Sequence, residues 1–129
     1  MSKIAINTNN APSAIGTYSQ AIVSGEFVFI SGQIPFDPQN NAKVEGDRAA
    51  QIHRTFQNLA NVAESSGSSL DNCLKLTIFL LDLKDFDMIN TIMKDFFSEP
   101  YPARSVVEVK SLPKSVSLEV DAILALSRK

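Results

Sequence analysis

The hydrophobic and polar positions of the chain change their period along its length. The first third holds three short apolar runs that predict β-strands: KIAIN (3–7), YSQAIV (18–23) and EFVFISGQI (26–34). Ser24 and Gly25 lie between the last two runs and predict a hairpin turn. The following DPQNN (37–41) consists of residues typical of turns and predicts a loop.

Helical spacing begins after Asp47, a residue type that favours the N-cap position. Apolar side chains then recur every three or four positions until Ser-Ser-Gly at 65–67, where the helix is expected to end. These apolar positions are Ala49, Ile52, Phe56, Leu59, Ala60 and Ala63.

A second helix is expected after Asp82 or Asp85, either of which can provide its N-cap. Pro100 and Pro102 forbid its continuation, because proline lacks the backbone donor that a helix interior requires. Its apolar positions again follow helical spacing: Phe86, Ile89, Met93, Phe96 and Phe97.

Three further apolar runs predict strands. CLKLTIFLL (73–81) separates the two helices, whereas RSVVEV (104–109) and SLEVDAILAL (117–126) follow the second helix, with LPK (112–114) in the turn between them. The element order is therefore β-β-β-α-β-α-β-β. It predicts a single α+β domain over residues 1–129, with two helices packed on one face of a mostly antiparallel sheet.

Both faces of the predicted sheet are apolar, because alternate strand positions point to opposite faces and both sets are hydrophobic. One set contains Phe27, Phe29, Phe79, Val106 and Ile123. The opposite set contains Val28, Ile30, Ile78, Val107 and Leu124. Two helices can cover only one face, so we expect other subunits to cover the second.

The composition is that of an ordinary globular protein, with 44% hydrophobic and 20% charged residues. The net charge is −2 and the basic residues are scattered, so we expect no nucleic-acid partner.

The single cysteine, Cys73, excludes an intrachain disulfide and fits a reducing compartment. The N-terminal residues lack the apolar region of a signal peptide, and LTIFLL is too short to span a bilayer. We therefore expect a cytoplasmic protein with no membrane partner.

Arg104 is the most informative candidate for chemistry. It opens an apolar strand within YPARSVVEV (101–109), and the small residues Ala103 and Ser105 beside it leave room for a ligand. A guanidinium is a rigid fork that binds a carboxylate through two parallel hydrogen bonds. A structural ion pair at the strand end is the alternative interpretation.

Glu119 is a candidate for proton transfer. If its sheet face is buried between subunits, its carboxylate must be paired or have a raised pKa, and it could then exchange protons near neutral pH. A partly solvated glutamate is the alternative, and Glu108, which shares the strand parity of Arg104, is a rival.

The remaining candidates have weaker signals. Tyr18 could donate a hydrogen bond to a ligand or be an ordinary strand aromatic. Ser31 and Gly32 end a strand, where glycine permits close backbone approach to a ligand or simply a bulge. His53 fits a solvated or structural helix position. One histidine and one cysteine do not form a zinc site, and no dinucleotide or nucleoside triphosphate motif is present.

Three segments of the chain resemble the signature segments of the RidA/YjgF family, the reactive intermediate deaminases: YSQA (18–21), SGQIP (31–35) and PARSVVEVKSLPKSVSLEVDAI (102–123). The resemblance extends over the whole length. It implies a chorismate-mutase-like α+β fold in a homotrimer with active sites between subunits. It also implies cofactor-free hydrolysis of enamines and imines, such as 2-aminoacrylate and 2-aminocrotonate, to 2-oxo acids and ammonia.

Residue by residue, the resemblance assigns carboxylate binding to Arg104 and the positioning of water to Glu119. It also implies substrate-binding positions at Tyr18, Ser31, Gly32 and Asn90. Val106 stands where many members have a cysteine. The role of that position is attributed mainly to its backbone carbonyl, so activity should survive without thiol-based regulation. The loop before Arg104 (SEPYP, 98–102) is shorter than in many members, which affects the rim of the cleft.

Two alternative functions belong to other classes. A non-catalytic trimer that binds small carboxylates or client proteins would use Arg104 equally well. An endoribonuclease or translation inhibitor, a role attached to some family members, fits less well with a pI of about 5.3 and a single histidine.

Overall fold

Residues 2–127, which the computed structural model describes, contain eight β-strands and two α-helices. The strands are β1 (Ile4–Ile6), β2 (Ala21–Ser24), β3 (Phe27–Gln33), β4 (Phe36–Asp37), β5 (Ala42–Lys43), β6 (Cys73–Leu80), β7 (Ala103–Glu108) and β8 (Leu118–Ala125). The helices are α1 (Arg48–Ser65) and α2 (Phe86–Met93). Six strands form one sheet in the order β1-β2-β3-β8-β6-β7, and all its pairs are antiparallel except β6 with β7. This confirms the predicted α+β architecture.

Two parts of the N-terminal third differ from the prediction. Strand β2 begins at Ala21 rather than at residue 18, because the buried Gln20 side chain turns to the preceding loop. Its amide donates to the Pro12 carbonyl at 2.8 Å and accepts from the Thr8 N–H at 2.7 Å. The predicted loop at 37–41 is the turn of a separate ribbon, in which β4 pairs with β5.

Helix α1 begins where the sequence predicted. Asp47 is its N-cap, and its carboxylate accepts a hydrogen bond from the Ala50 N–H at 2.9 Å. The apolar side of the helix, including Ile52, Phe56 and Leu59, is fully buried against the sheet. Each such side chain contributes roughly 1.5–3 kcal/mol relative to exposure. Neither α1 nor α2 is long and apolar enough to cross a membrane.

Helix α2 is shorter than its apolar pattern suggested, since it ends at Met93. Asp82 caps the 3-10 turn that precedes it, and Asp85 occupies the N-cap position without a capping hydrogen bond. Phe97 lies beyond the helix but is still buried, and its ring packs edge-on against Phe56 with 5.9 Å between centroids. The apolar spacing therefore marks the buried side of the segment rather than the end of the helix.

The two helices cover one face of the sheet, and no element of residues 2–127 covers the opposite face, here called the open face. Phe27, Phe29 and Val107 on this face are 46%, 45% and 40% exposed. The strand register places further side chains on it: Ile22, Lys75, Thr77, Phe79, Glu119, Asp121 and Ile123. The prediction that two helices leave one apolar face uncovered is confirmed.

The prediction that Val106 of β7 shares a sheet face with Phe79 is wrong. In the parallel pair with β6, Arg104 lies beside Leu76 and Val106 beside Ile78, and both partners are buried under the helices. Val106 therefore packs against the core, and Val107 lies on the open face. Valines at both parities give β7 no clear polar side, so the hydrogen-bond register with β6 decides its orientation.

Candidate functional site

The first part of the candidate site is a cavity of about 420 Å³ at the edge of the sheet, here called the Arg104 cavity. It lies where the C-terminal end of α2 meets the start of the edge strand β7. Its volume falls within the range of small-molecule sites, roughly 300–1,000 Å³. Its lining residues are Asn90, Met93, Lys94, Tyr101, Pro102 and Arg104.

The Arg104 side chain is half-buried and is held by apolar and soft partners. One terminal nitrogen donates to the Met93 sulfur at 3.3 Å, and the guanidinium carbon lies 5.2 Å from the centre of the Phe86 ring. Both partners belong to α2, and a cation over an aromatic face is attracted by the ring. Within residues 2–127, Arg104 forms no ion pair with a carboxylate. Among these residues, no structural ion pair therefore occupies the Arg104 guanidinium group.

Asn90 and Val106 differ in how they relate to this cavity. Asn90 lines it beside Arg104. The Val106 side chain does not, because it packs against the core. The backbone of Val106 is placed differently. The Val109 N–H donates to the Leu80 carbonyl of β6, and the backbone groups of successive strand residues point in opposite directions. The Val106 N–H and C=O therefore point away from β6, toward the free edge of the sheet. A role for Val106 through its carbonyl is compatible with this geometry.

The second part of the candidate site lies on the open face at an irregularity of β3. The register between β3 and β8 shifts between Ile30 and Gln33. Gly32 lies in this bulge, and a Cβ there would come within 2.6 Å of the Glu119 carboxyl carbon. Ser31 is tied down by its hydroxyl, which donates to the Ser19 carbonyl at 2.6 Å. A side chain at position 32 would therefore displace the Glu119 carboxyl group from its place against the bulge.

The electrostatics of Glu119 favour proton exchange. Partial burial raises the pKa of its carboxyl above the ordinary value, and the negative charge of Asp121 raises it further. Burial also raises the pKa of Asp121, while a hydrogen bond from Thr77 and the charge of Lys75 act in the opposite direction. Among residues 2–127, no cation acts on the pKa of Glu119 as Lys75 acts on that of Asp121, so both causes of the Glu119 shift favour the protonated carboxyl.

Tyr18 lies close to the bulge and keeps its ring largely in solvent. It is 53% exposed, and its hydroxyl accepts a hydrogen bond from the Ile15 N–H at 3.4 Å. Tyr18 and Gly32 line a small cavity of about 80 Å³, together with Lys114. Gly32 thus lies between Tyr18, with which it lines this cavity, and Glu119, whose carboxyl group lies against it. Together with Ser31 these residues are here called the bulge cluster.

One chain does not bring the two parts together. Arg104 lies on the helix-covered side of the edge strand β7, whereas Glu119 lies opposite Phe79 on the open face of β8. Strand β6 separates β7 from β8. A small molecule in the Arg104 cavity would therefore not reach Glu119 of the same chain.

The other sequence candidates have structural contacts. The Glu108 carboxylate accepts from the Leu83 N–H at 3.0 Å. The His53 ring packs on Phe96 with 4.9 Å between centroids, on the exposed side of α1. Burial raises the pKa of the Cys73 thiol to about 11, which makes it unreactive. Among residues 2–127, no group of three or more His, Cys, Asp or Glu side chains could hold a metal ion.

Sequence reasoning missed Lys94, Tyr101 and Phe86 as neighbours of Arg104. The signal for Lys94 was its position four residues after Asn90, which places both on one side of a helix. Phe86 was identified only as an apolar helix position, because nothing in its spacing distinguishes a core side chain from one that supports a cation.

The comparisons with known proteins agree with this architecture. The sequence model of the family described as "Endoribonuclease L-PSP" matches residues 8–126. The 2-iminobutanoate/2-iminopropanoate deaminase of Salmonella typhimurium is 44% identical over 121 residues, covering 92% of this chain and 94% of that protein.

Two solved structures are similar over nearly the whole chain. RidA from the Antarctic bacterium Psychrobacter has a TM-score of 0.91 and 42% identity, covering 95% of this chain and 99% of that one. E. coli TdcF with bound serine has a TM-score of 0.89 and 39% identity, covering 96% and 99%. The fold is thus that of the YjgF-type, chorismate-mutase-like proteins, and this chain belongs to the RidA/YjgF family.

Proposed function

We propose that this chain hydrolyses short 2-imino acids, and the enamines that tautomerise to them, to 2-oxo acids and ammonia. The observation that carries the proposal is the half-buried Arg104 guanidinium, which faces a cavity of about 420 Å³ without a carboxylate partner among the described residues. The name of the Salmonella typhimurium relative supports it, because that protein is a 2-iminobutanoate/2-iminopropanoate deaminase.

Arg104 binds the substrate carboxylate. The guanidinium fork forms two charge-assisted hydrogen bonds with the two carboxylate oxygens, and this fixes the orientation of the adjacent imine carbon. Phe86 and Met93 hold the fork without neutralising its charge. The Asn90 amide, which lines the same cavity, is within the volume that the bound acid occupies.

Glu119 supplies the proton relay. Its carboxylate accepts a proton from a water as the water oxygen bonds to the imine carbon, and the π electrons of the C=N bond move to nitrogen, which is protonated. The proton on nitrogen is the one that Glu119 took from the water, so the carbinolamine is neutral. The hydroxyl proton then passes by way of the Glu119 carboxylate to the amino nitrogen as the C–N bond breaks, so ammonia leaves and the C=O bond of the 2-oxo acid forms. The main-chain carbonyl of Val106, which faces the free sheet edge, holds the water beside the carbon.

A second copy of the chain is part of the proposal, because Arg104 and Glu119 of one copy lie on opposite sides of the sheet. A closed ring of three copies would bury the open face and bring Glu119 of one copy to the Arg104 cavity of the next. Tyr18, which is exposed beside the bulge, would orient the substrate from the same copy as Glu119.

The test measures hydrolysis of 2-iminobutyrate, generated by a threonine dehydratase, in the Arg104→Ala variant. Loss of the two charge-assisted bonds should remove about 2–4 kcal/mol, which lowers kcat/KM by roughly thirty- to a thousandfold. Arg54→Ala, on α1 and outside both cavities, is the matched control and should retain the activity. Full activity of the Arg104 variant would contradict the proposal.

Glu119→Gln tests the relay separately, with Glu108→Gln as its control. The amide keeps the size of the side chain but does not accept a proton, so the rate should fall while binding of the 2-oxo acid product persists. An unchanged rate in Glu119→Gln, or an equal loss in Glu108→Gln, would remove Glu119 from the mechanism.

A non-catalytic carboxylate binder is the second candidate, because the Arg104 cavity alone is suited to a small acid. The structure of E. coli TdcF was solved with bound serine, which carries such a carboxylate. A binder would lose its ligand in Arg104→Ala and would show no accelerated hydrolysis in the unaltered chain. Ribonuclease activity, which the description of the family model names, has no comparable support from a chain of net charge −2 with one histidine.

A further inference from the structure

Lys94 adds a second positive charge to the Arg104 cavity. It follows Asn90 by four residues, so both side chains leave the end of α2 on the same side, and both line the cavity. Lys94 is exposed and forms no ion pair with the carboxylates of residues 2–127. Hydrolysis of an imino acid with one carboxylate makes no use of this ammonium.

The charge of the cavity is unusual for a chain whose net charge is −2. Arg104 and Lys94 are both cationic, and none of the described residues that line the cavity is an aspartate or glutamate. One substrate carboxylate would pair with Arg104, and within the described residues of the same chain Lys94 would then have no anion. A ligand with two negative groups matches both charges, and electrostatic complementarity of this kind gives specificity.

The size of the cavity also favours a ligand with two negative groups. A cavity of about 150 Å³ is enough for benzene, which has about six non-hydrogen atoms. The Arg104 cavity, at about 420 Å³, leaves space beyond a carboxylate and its imine carbon. Tyr101 and Asn90 line that space and carry hydrogen-bond donors, while Met93 and Pro102 provide apolar surface.

We infer that the preferred substrate is a 2-imino dicarboxylate with a short carbon chain. This rests on the proposed function, since Arg104 must hold the carboxylate next to the reacting carbon. Lys94 then binds the distal carboxylate, and its flexible stem allows it to meet that group at more than one chain length. The distal carboxylate takes no part in the bond changes: water enters at the imine carbon, ammonia leaves, and a 2-oxo dicarboxylate is released.

The experiment compares two imines of the same carbon number, 2-iminosuccinate and 2-iminobutyrate, which differ only in a terminal carboxylate or methyl group. Each is produced from its amino acid by an oxidase, and hydrolysis competes with trapping by semicarbazide. The unaltered chain should favour 2-iminosuccinate in kcat/KM by about fivefold or more, as expected for one partly screened ion pair. Added salt should reduce this preference because the ammonium is exposed.

Substitution of Lys94 identifies the residue responsible. Lys94→Gln should reduce the ratio of the two kcat/KM values by about fivefold, whereas Lys94→Arg should keep it. Lys84→Gln is the matched control: Lys84 is exposed and lines no described cavity, so its loss should leave the ratio unchanged. A ratio in Lys94→Gln equal to that of the unaltered chain would overturn the inference.

A binding measurement separates this inference from the proposed function. Calorimetry with 2-oxoglutarate and 2-oxopentanoate, again matched in carbon number, should show tighter binding of the dicarboxylate and loss of that advantage in Lys94→Gln. Hydrolysis of 2-iminobutyrate without a Lys94-dependent preference overturns only the inference. Absence of hydrolysis of either imine overturns the proposed function, and the calorimetric comparison still decides whether Lys94 selects dicarboxylates.

Discussion

Glu119 has a raised pKa because of where the strand places it. The carboxyl lies on the open face against the bulge at Gly32, partly buried and near the negative charge of Asp121. Both effects disfavour the ionised form, and burial is the larger. The pairing of strand β8 with β3 thus creates an environment in which a glutamate gains and loses protons at a higher pH than it does in water.

This shift has a consequence for stability that can be measured. Since the folded chain favours the protonated carboxyl, the contribution of Glu119 to stability is present below its ordinary pKa of 4.5 and is lost as the pH rises through the raised value. Glu119→Gln should therefore have a larger free energy of unfolding than the unaltered chain at neutral pH. Urea titrations should show that this difference shrinks as the pH is lowered toward about 4.

The opposite pH trend would show that Glu119 is stabilised as a carboxylate, which would remove the physical basis of the proton relay. Glu108→Gln is the reference, because Glu108 already accepts a hydrogen bond from the Leu83 N–H and should lose stability on substitution.

Arg104 shows how far single residues could be predicted from the sequence. Its residue type and small neighbours predict a carboxylate binder, and in the structure it lies in a cavity without an acid partner among the described residues. Its contacts with Phe86 and Met93 could not be predicted, because they depend on where α2 ends relative to β7. The helical spacing of Lys94 from Asn90 is visible in the sequence. It indicates a role for Lys94 at the site only when the Arg104 cavity is known.

At the scale of elements, periodicity located the helices and strands well where one side of the element is clearly polar. The start of α1 at Asp47 is an example, because cap chemistry and apolar spacing agree. The side of β7 was predicted wrongly, because Val106 and Val107 are both apolar and only the register with β6 distinguishes them. The ribbon of β4 and β5 was missed because two-residue strands have no period to detect.

The Asp47 cap gives the element-scale prediction. Asp47→Ala removes the acceptor for the Ala50 N–H and should lower the free energy of unfolding by about 1 kcal/mol. Urea unfolding midpoints at matched protein concentration provide the measurement. Glu45→Ala makes the same charge change at an exposed neighbouring position and should have little effect. Equal destabilisation by the two variants would mean that charge, not capping, stabilises the start of α1.

At the scale of the whole molecule, the open face and the divided site have one common explanation. Exposed Phe27, Phe29 and Val107 form an apolar surface that a monomer would leave in water. The same surface carries Glu119, whereas Arg104 lies on the other side of the sheet at its edge. Association of copies through this face would bury the aromatic side chains and join the two parts of the site. The resemblance implies this arrangement, but strand parity could not, because it placed Val106 of β7 on the same face as Phe79, where Val107 lies instead.

The most direct measurement mixes Arg104→Ala chains with Glu119→Gln chains after co-refolding and assays hydrolysis of 2-iminobutyrate. Each variant alone should have strongly reduced activity. In a mixed ring of three, one interface can combine Arg104 from one chain with Glu119 from its neighbour, so random mixing in equal amounts should restore about one site in four. If mixing restores no activity, although the mixed oligomers form, then Arg104 and Glu119 act within one chain or not together, and the account of a site shared between copies is contradicted.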